Sequence, residues 1–513
     1  MTFSRRDWLR LTGAASGSAI FTLACAGRTT RTHVAAIESS DDEIATWLQE
    51  AVAEISVRWP DAHGLARRHT HAAAALDVQG ASAAVQHHAG VVLGVRDASG
   101  KTVEVRSSRL DREGILALAQ VLHDTATRRG VRDRPSASAG AGASASPRQR
   151  AGLSSAEPQR WAPTTMREQV AALAARADRL GTSRIIYRGA GLDLDATTTW
   201  HAGPMAAYRL HQVRRRSAVV LVAASGQVPV GHEVAMGSTL EPGAAGAADL
   251  DDAALAGAID SLLRLTTPQA LPAGPAEVLL DAATVSRLFE AVSEALSELL
   301  PDELVGAPGG APTAWPWSVA DRGVPAASWS LLSAPSAVGA YGGYSRDDLG
   351  APATERVLLR DGVPAPGDAS APWWSPPAGH FARQGLFGAA LARPRHLELL
   401  APGARATAEL IGGIEAGFSL ENGTAAQVDL RRDRVILHAR VAREIRRGTT
   451  TGRAFADIEL RAKLSELLTN IAGFSQERQA LARRQEANEL PDFFSSRMPA
   501  LLSRAVLATR SRA

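Results

Sequence analysis

Leu271-Pro272-Ala273-Gly274-Pro275 divides this chain in two. The prolines lack backbone donors and fix φ, so no helix or interior strand runs through the segment. The stretches on either side, 27–270 and 271–513, are each long enough to bury a core of their own. A hydrophobic fraction of 45% excludes a disordered chain, and one cysteine in 513 residues excludes a disulfide scaffold. No apolar run reaches the ~18 residues of a membrane-spanning helix.

Residue periodicity supplies the elements. Ser40 and Glu43 make a capping box ahead of Ile44, Trp47, Leu48, Ala51, Val52 and Ile55, a helical stripe. Ala89–Arg96 and Lys101–Arg106 read as strands joined by the turn Asp97-Ala98-Ser99-Gly100. Helices are expected near 111–123, 165–180 and 251–265, and strands at 183–188, 196–201 and 217–224. Residues 135–147 are Ala, Gly, Ser and Pro only; they cannot pack a core and read as a surface insertion. Beyond the break, Ala276–Asp281 reads as a strand and Ala282–Leu300 as a helix. Residues 305–380, rich in Gly, Pro, Trp and Ser, suit short strands between many turns. The remainder alternates strands such as Val435–Val441 with helices near 405–416 and 459–472. The expected fold class is α+β, with an N-terminal α/β domain of hairpins and helices and a strand-rich C-terminal domain.

Residues 1–26 read as a twin-arginine export signal. Ser4-Arg5-Arg6-Asp7-Trp8-Leu9-Arg10 places an aromatic residue and a leucine after Arg5 and Arg6, and a soft apolar stretch, Leu11–Ala24, follows. Two processing routes stay open. Cleavage after Ala26 removes the cysteine, whereas a lipobox at Thr22-Leu23-Ala24-Cys25 leaves Cys25 lipidated, although Thr22 stands where leucine is expected. The expected location is the periplasm or, through a lipid on Cys25, the envelope membrane. Arg5, Arg6, Asp7 and Arg10 together carry +2 of the formal +3 charge, so the remaining chain has no electrostatic footprint for nucleic acid.

Few residues suggest chemistry. Arg214-Arg215-Arg216 reads as a solvated entry to the strand Ser217–Val222. His69, His71, His87 and His88 read as solvent-exposed strand histidines more simply than as surface metal binders. The single His-Glu pair, His232-Glu233, is followed by Met236 and Gly237 where a metallopeptidase helix needs histidine, so it reads as strand or turn. No Gly-x-Ser-x-Gly elbow is present, and Gly237-Ser238-Thr239 has no evident base. Trp315, Trp317, Trp373 and Trp374 could line a peptide groove or fill strand cores.

Four blocks in the C-terminal half occur in a shared order. They are Pro272-Ala273-Gly274 with Glu277–Asp281; Asp347-Asp348-Leu349-Gly350-Ala351-Pro352-Ala353-Thr354 with Leu358–Val363; Pro394–Leu399 with Pro402-Gly403, Glu409-Leu410-Ile411 and Gly417; and Met498-Pro499-Ala500-Leu501-Leu502. In this arrangement the chain resembles the TldD/PmbA family of peptidase-related proteins, which work as pairs. The N-terminal half matches more loosely, through Gly90–Val95 and the order of hairpin and helix.

Catalytic members of that family carry a His-Glu-x-x-x-His motif on the helix after the boundary and a cysteine near the C-terminus, which together hold zinc. Zinc takes neutral imidazole and thiolate, and the glutamate can handle the proton of a bound water. The resemblance places Phe289 and Glu294 at the two histidine positions and Glu290 at the glutamate, with the cysteine position within Gln476–Leu490, where none exists. It therefore implies a metal-free, PmbA-like subunit with no cofactor and no catalytic residue, in which Glu290 is a helix-face or partner-contact residue. The implied partner is a TldD-like metallopeptidase subunit, or a second copy of this chain, and the implied ligand is an unfolded peptide. A stand-alone envelope binding or scaffold homodimer is the alternative, and an enzyme using unrecognised residues is a third.

Overall fold

The computed structural model describes residues 40–77, 80–96, 102–131, 163–181, 185–203, 207–223, 230–240, 250–263, 276–297, 328–337, 339–365, 379, 381–383, 390–485, 492–504 and 508–511. The export segment with Arg5, Arg6 and Cys25, the turn at 97–100, the 135–147 insertion, the break at 271–275 and the four tryptophans of 315–374 lie outside these residues.

The expected α+β architecture is present, built on two large sheets. Helix α1 (Asp41–Ser56) starts at the capping box: the Glu43 N–H donates to Ser40 Oγ, and the Ser40 N–H donates to the Glu43 carboxylate at 2.7 Å. Strands β1 (His63–Asp77), β2 (Gly80–Arg96) and β3 (Thr102–Ser107) precede α2 (Arg112–Arg128) and α3 (Pro163–Leu180). Then come β4 (Ile185–Ala202), β5 (Tyr208–Ala223), β6 (Val230–Leu240) and α4 (Asp252–Leu263). The strands form one antiparallel sheet in the order β3-β2-β1-β4-β5-β6.

Strand alternation gives this sheet two unlike faces. Ala72, Ala74, Leu192, Leu194, Val219 and Leu221 pack against Met166 and Val170 of α3 and Leu255 and Ile259 of α4. Residues two apart on the other register, Arg67, His69 and His71 on β1, Asp193 and Asp195 on β4, and Arg214 and Arg216 on β5, are also buried. They face the second sheet.

The sequence expectation of separate strands at 183–188 and 196–201 is corrected here: both belong to the single strand β4. Asp193 and Asp195 interrupt the apolar pattern, but their charges are matched by partners on neighbouring strands, so the ladder continues.

The second unit opens with β7 (Glu277–Leu280) and α5 (Ala282–Ser297), followed by β8 (Ser330–Ser333), β9 (Arg356–Arg360), β10 (Val363–Pro364), β11 (Phe381–Arg383), β12 (Ala390–Ala392) and β13 (His396–Leu400). Short helix α6 (Thr407–Gly412) leads to β14 (Ala416–Asp429), β15 (Arg434–Arg446) and β16 (Thr449–Ala462), and α7 (Leu464–Thr469) to β17 (Ile471–Gln485), β18 (Asp492–Ser503) and β19 (Ala508–Ser511). The expected helix at 459–472 is corrected: Ile458 and Leu460 are buried in strand alternation, and only Leu464–Thr469 is helical. Ten strands run in the order β10-β9-β8-β13-β18-β7-β14-β15-β16-β19, with β17 paired to β18. Helix α5 covers this sheet, its Val285, Leu288, Phe289, Val292 and Leu296 fully buried at helical spacing. No helix among the described residues is long and apolar enough to cross a membrane.

Candidate functional site

Asp281 fixes the start of α5. Its Oδ1 accepts the Thr284 N–H at 2.7 Å as an N-cap, and its Oδ2 accepts the Asn422 N–H at 2.7 Å, which ties the helix to β14. About two turns on, Phe289 is wholly buried, its ring centroid 5.4 Å from that of Trp329. Glu290 is also buried, and is paired with Arg287 at 3.4 Å and with Arg483 of β17. Glu294 pairs with Arg393, and Arg393 also donates to Asp492 Oδ2 at 2.6 Å.

These contacts test the fit of zinc directly. The segment in which the resemblance expects a cysteine forms β17 as far as Gln485, and what it delivers to α5 is Arg483. Phe289 offers no donor atom, and Glu290 and Glu294 each hold a guanidinium. Among the described residues no three His, Cys, Asp or Glu side chains are grouped to hold a metal. The donor set does not fit zinc.

The ion pairs continue away from α5. Asp492 also lies 3.7 Å from Arg395, Arg395 lies 3.4 Å from Asp348, and Asp348 accepts from Arg67 of β1 at 2.6 Å. Burial by itself raises the Asp348 carboxyl, but Arg67 and Arg395 overcome it and hold the group well below the usual carboxylate range. Asp348 belongs to a tight turn in which Asp347 Oδ1 accepts the N–H groups of Leu349 and Ala351 at 3.0 and 2.9 Å. Gly350 in this turn has φ +92°, and a Cβ there would lie 2.5 Å from the His201 ring. The acidic-Gly block is thus a clasp between the two sheets.

A second set of pairs crosses the same boundary. His69 Nε2 is 2.9 Å from Asp195 Oδ1, and Arg484 of β17 is 3.3 Å from the other oxygen of that carboxylate. Beside it, His71 Nε2 is 3.2 Å from Asp193, which also faces Arg216 at 3.4 Å. Burial pushes the His69 imidazole down to about 4, against the opposing pull of Asp195. Burial raises the Asp195 carboxyl, but Arg484 and His69 outweigh it and hold it well below its ordinary range. The pair is therefore a neutral imidazole donating to a carboxylate.

Two expectations are overturned here. His69 and His71 are not solvent-exposed, at 1% and 7% accessibility, and Arg214 and Arg216 are not a solvated strand entry, at 2% and 4%. A polar residue every second position marks a wet face in an isolated sheet; here that face is covered by a second sheet carrying complementary charge. The usable signal was the match between strands: cations at 67, 214 and 216 with anions at 193 and 195, all with a two-residue period. His87 is exposed, as read. The backbone of His232-Glu233 is in strand β6, also as read.

Between the sheets lies a small cleft, part of it open to solvent. Arg67, His69, Thr197, Thr199, Arg214 and Phe493 line it with Tyr208, Tyr344, Asp348 and Arg395. It combines guanidinium groups with aromatic walls.

No known protein-family model matches the sequence, and no characterised protein matches it by sequence search. The fold, in contrast, is shared with solved structures. TldE from Thermococcus kodakarensis superposes with a TM-score of 0.66 at 13% identity, over 90% of this chain and 99% of that one. A proposed modulator of DNA gyrase from Bacteroides thetaiotaomicron gives 0.63 at 15% identity, over 93% and 100%. A second proposed gyrase modulator, from Thermotoga maritima, gives 0.62 at 14%, over 92% and 100%.

Proposed function

We propose that this chain is a metal-free member of the TldD/PmbA family: an exported, non-catalytic subunit that binds unfolded peptide beside a metallopeptidase partner. The observation that carries this reading is the replacement at α5. Arg483 and Arg393 sit on Glu290 and Glu294, and Phe289 is in the core, so the positions of the family's metal site hold arginine–carboxylate pairs. The likeness of fold to TldE over nearly the whole of both chains supports the same family.

In this reading the chain's own residues bind and orient. The inter-sheet cleft takes a peptide segment against Tyr208, Tyr344 and Phe493, and guanidinium groups order its polar atoms. The partner supplies the zinc chemistry. Affinity purification from the native host, using the processed chain, tests the proposal. It should bring down a protein carrying His-Glu-x-x-x-His at comparable yield, and a homodimer without such a partner would favour the scaffold alternative.

A further inference from the structure

Five arginines line the cleft, Arg67, Arg214, Arg346, Arg383 and Arg395, against two aspartates, Asp347 and Asp348. Their counter-charges are unevenly distributed. Arg383 is held by Glu104 in a two-point pair at 2.8 and 2.5 Å, and Arg67 and Arg395 share Asp348. Arg214 is different. It donates to the carbonyls of Tyr341 at 2.9 Å and Gly343 at 3.1 Å and to the Gln212 amide at 2.9 Å, and pairs with no carboxylate among the described residues. Arg346 likewise donates to the Gly350 carbonyl at 2.9 Å and lies over the Tyr208 ring at 5.0 Å. Arg395 Nε is buried without a hydrogen-bond partner.

A buried cation without a counter-charge is destabilising, so the buried Arg214, with the half-buried Arg346 on the same cleft, leaves a place for an anion. Burial lowers the Arg214 guanidinium to about 10, and neighbouring Arg395 pushes it the same way; a bound anion relieves that repulsion. The planar fork of arginine matches carboxylate and phosphate oxygens alike.

Neighbouring groups distinguish the two. His69 Nδ1 and Thr197 Oγ1 are buried without partners, and both residues line the cleft. They occupy paired positions on β1 and β4, and Arg67 lies two residues from His69 on the same face. With its Nε2–H given to Asp195, neutral His69 presents Nδ1 as an acceptor. The last residue of a peptide offers a backbone N–H at a fixed distance from its carboxylate, whereas the dianion of a phosphate monoester offers acceptors only. We propose that the cleft is an oxyanion-binding site that captures the C-terminal carboxylate of an extended peptide, with Arg214 as its principal cation and His69 accepting an N–H. This identifies which end of the substrate the cleft takes, and rests on the peptide reading above.

The test is calorimetric titration of the full processed chain with three probes: an acetylated pentapeptide with a free carboxylate, the same peptide as its C-terminal amide, and inorganic phosphate. The free acid should bind at least tenfold tighter than the amide. R214M should remove that preference, and R346Q, a change at a less buried position, should reduce it severalfold. Circular dichroism melting verifies that each variant is folded. Equal binding of acid and amide would overturn the oxyanion site and leave the peptide reading standing. Failure of both peptides to bind, with phosphate binding that R214M abolishes, would keep the site and remove the peptide reading. Undiminished binding of the acid by folded R214M and R346Q would overturn the proposal.

Discussion

Arg483 of β17 reaches Glu290 of α5 and forms an ion pair with it. The adjacent Arg484 points the other way in strand alternation and pairs with Asp195 of the first sheet at 3.3 Å. One dipeptide therefore joins α5 to the face of the N-terminal sheet.

Glu290→Gln leaves Arg483 without its carboxylate partner. Breaking a buried pair is strongly destabilising, but Arg483 keeps 27% side-chain accessibility, so solvent recovers part of the loss. The expected cost is about 1–2 kcal/mol, a fall of roughly 1–2 °C in Tm for a chain of this size. The double variant E290Q/R483M should regain most of it, because both charges are then gone. Scanning calorimetry on the four-member cycle measures the coupling.

Acidification should weaken the inter-sheet face. His69 titrates at about 4 in the folded protein, below the ordinary histidine value of about 6.5, so between these values the unfolded chain binds the extra proton. Stability is full above about pH 6.5 and is lost as pH falls toward 4, by roughly 3 kcal/mol. Asp195, whose carboxyl is depressed, adds a further loss below about pH 4. In H69Q the slope of the urea midpoint between pH 6.5 and 4 should flatten; an unchanged slope would place the titrating group elsewhere.

Asp348→Asn removes the carboxylate shared by Arg67 and Arg395 and leaves both cations underpaired. About 3–5 kcal/mol of stability should be lost, concentrated at the contact between the two sheets. Urea unfolding followed by tryptophan fluorescence should then separate into two transitions. A single transition with an unaltered midpoint would show that the clasp contributes nothing.

Much of the local structure was legible in the sequence, because it depends on neighbours in the chain. The Ser40–Glu43 cap, the apolar stripe on α1 and the β2–β3 pairing all follow from short-range patterns. That Phe289 cannot coordinate a metal was legible too, whatever surrounds it. The partners of Glu290 and Glu294 were not: Arg483 comes from β17 and Arg393 from the link between β12 and β13, about 100 or more residues away. The buried charged face was misread for a related reason. A polar two-residue period looks solvated until a second sheet is known to cover it, and His69, Arg214 and Asp195 acquire meaning only as a set. Asp347-Asp348-Leu349-Gly350 lay between these cases, recognisable as a block, but its part as a clasp depended on Arg67 and His201.

We propose that the arginine–carboxylate pairs at Glu290 and Glu294 leave this chain without metallopeptidase chemistry of its own. The most direct measurement is hydrolysis of fluorescein-labelled casein by the purified chain, with zinc added and then chelated, alongside metal analysis of the dialysed protein. Substoichiometric zinc after dialysis and no chelator-sensitive hydrolysis above buffer are expected. Stoichiometric zinc with chelator-sensitive cleavage that E290Q abolishes would contradict the proposal.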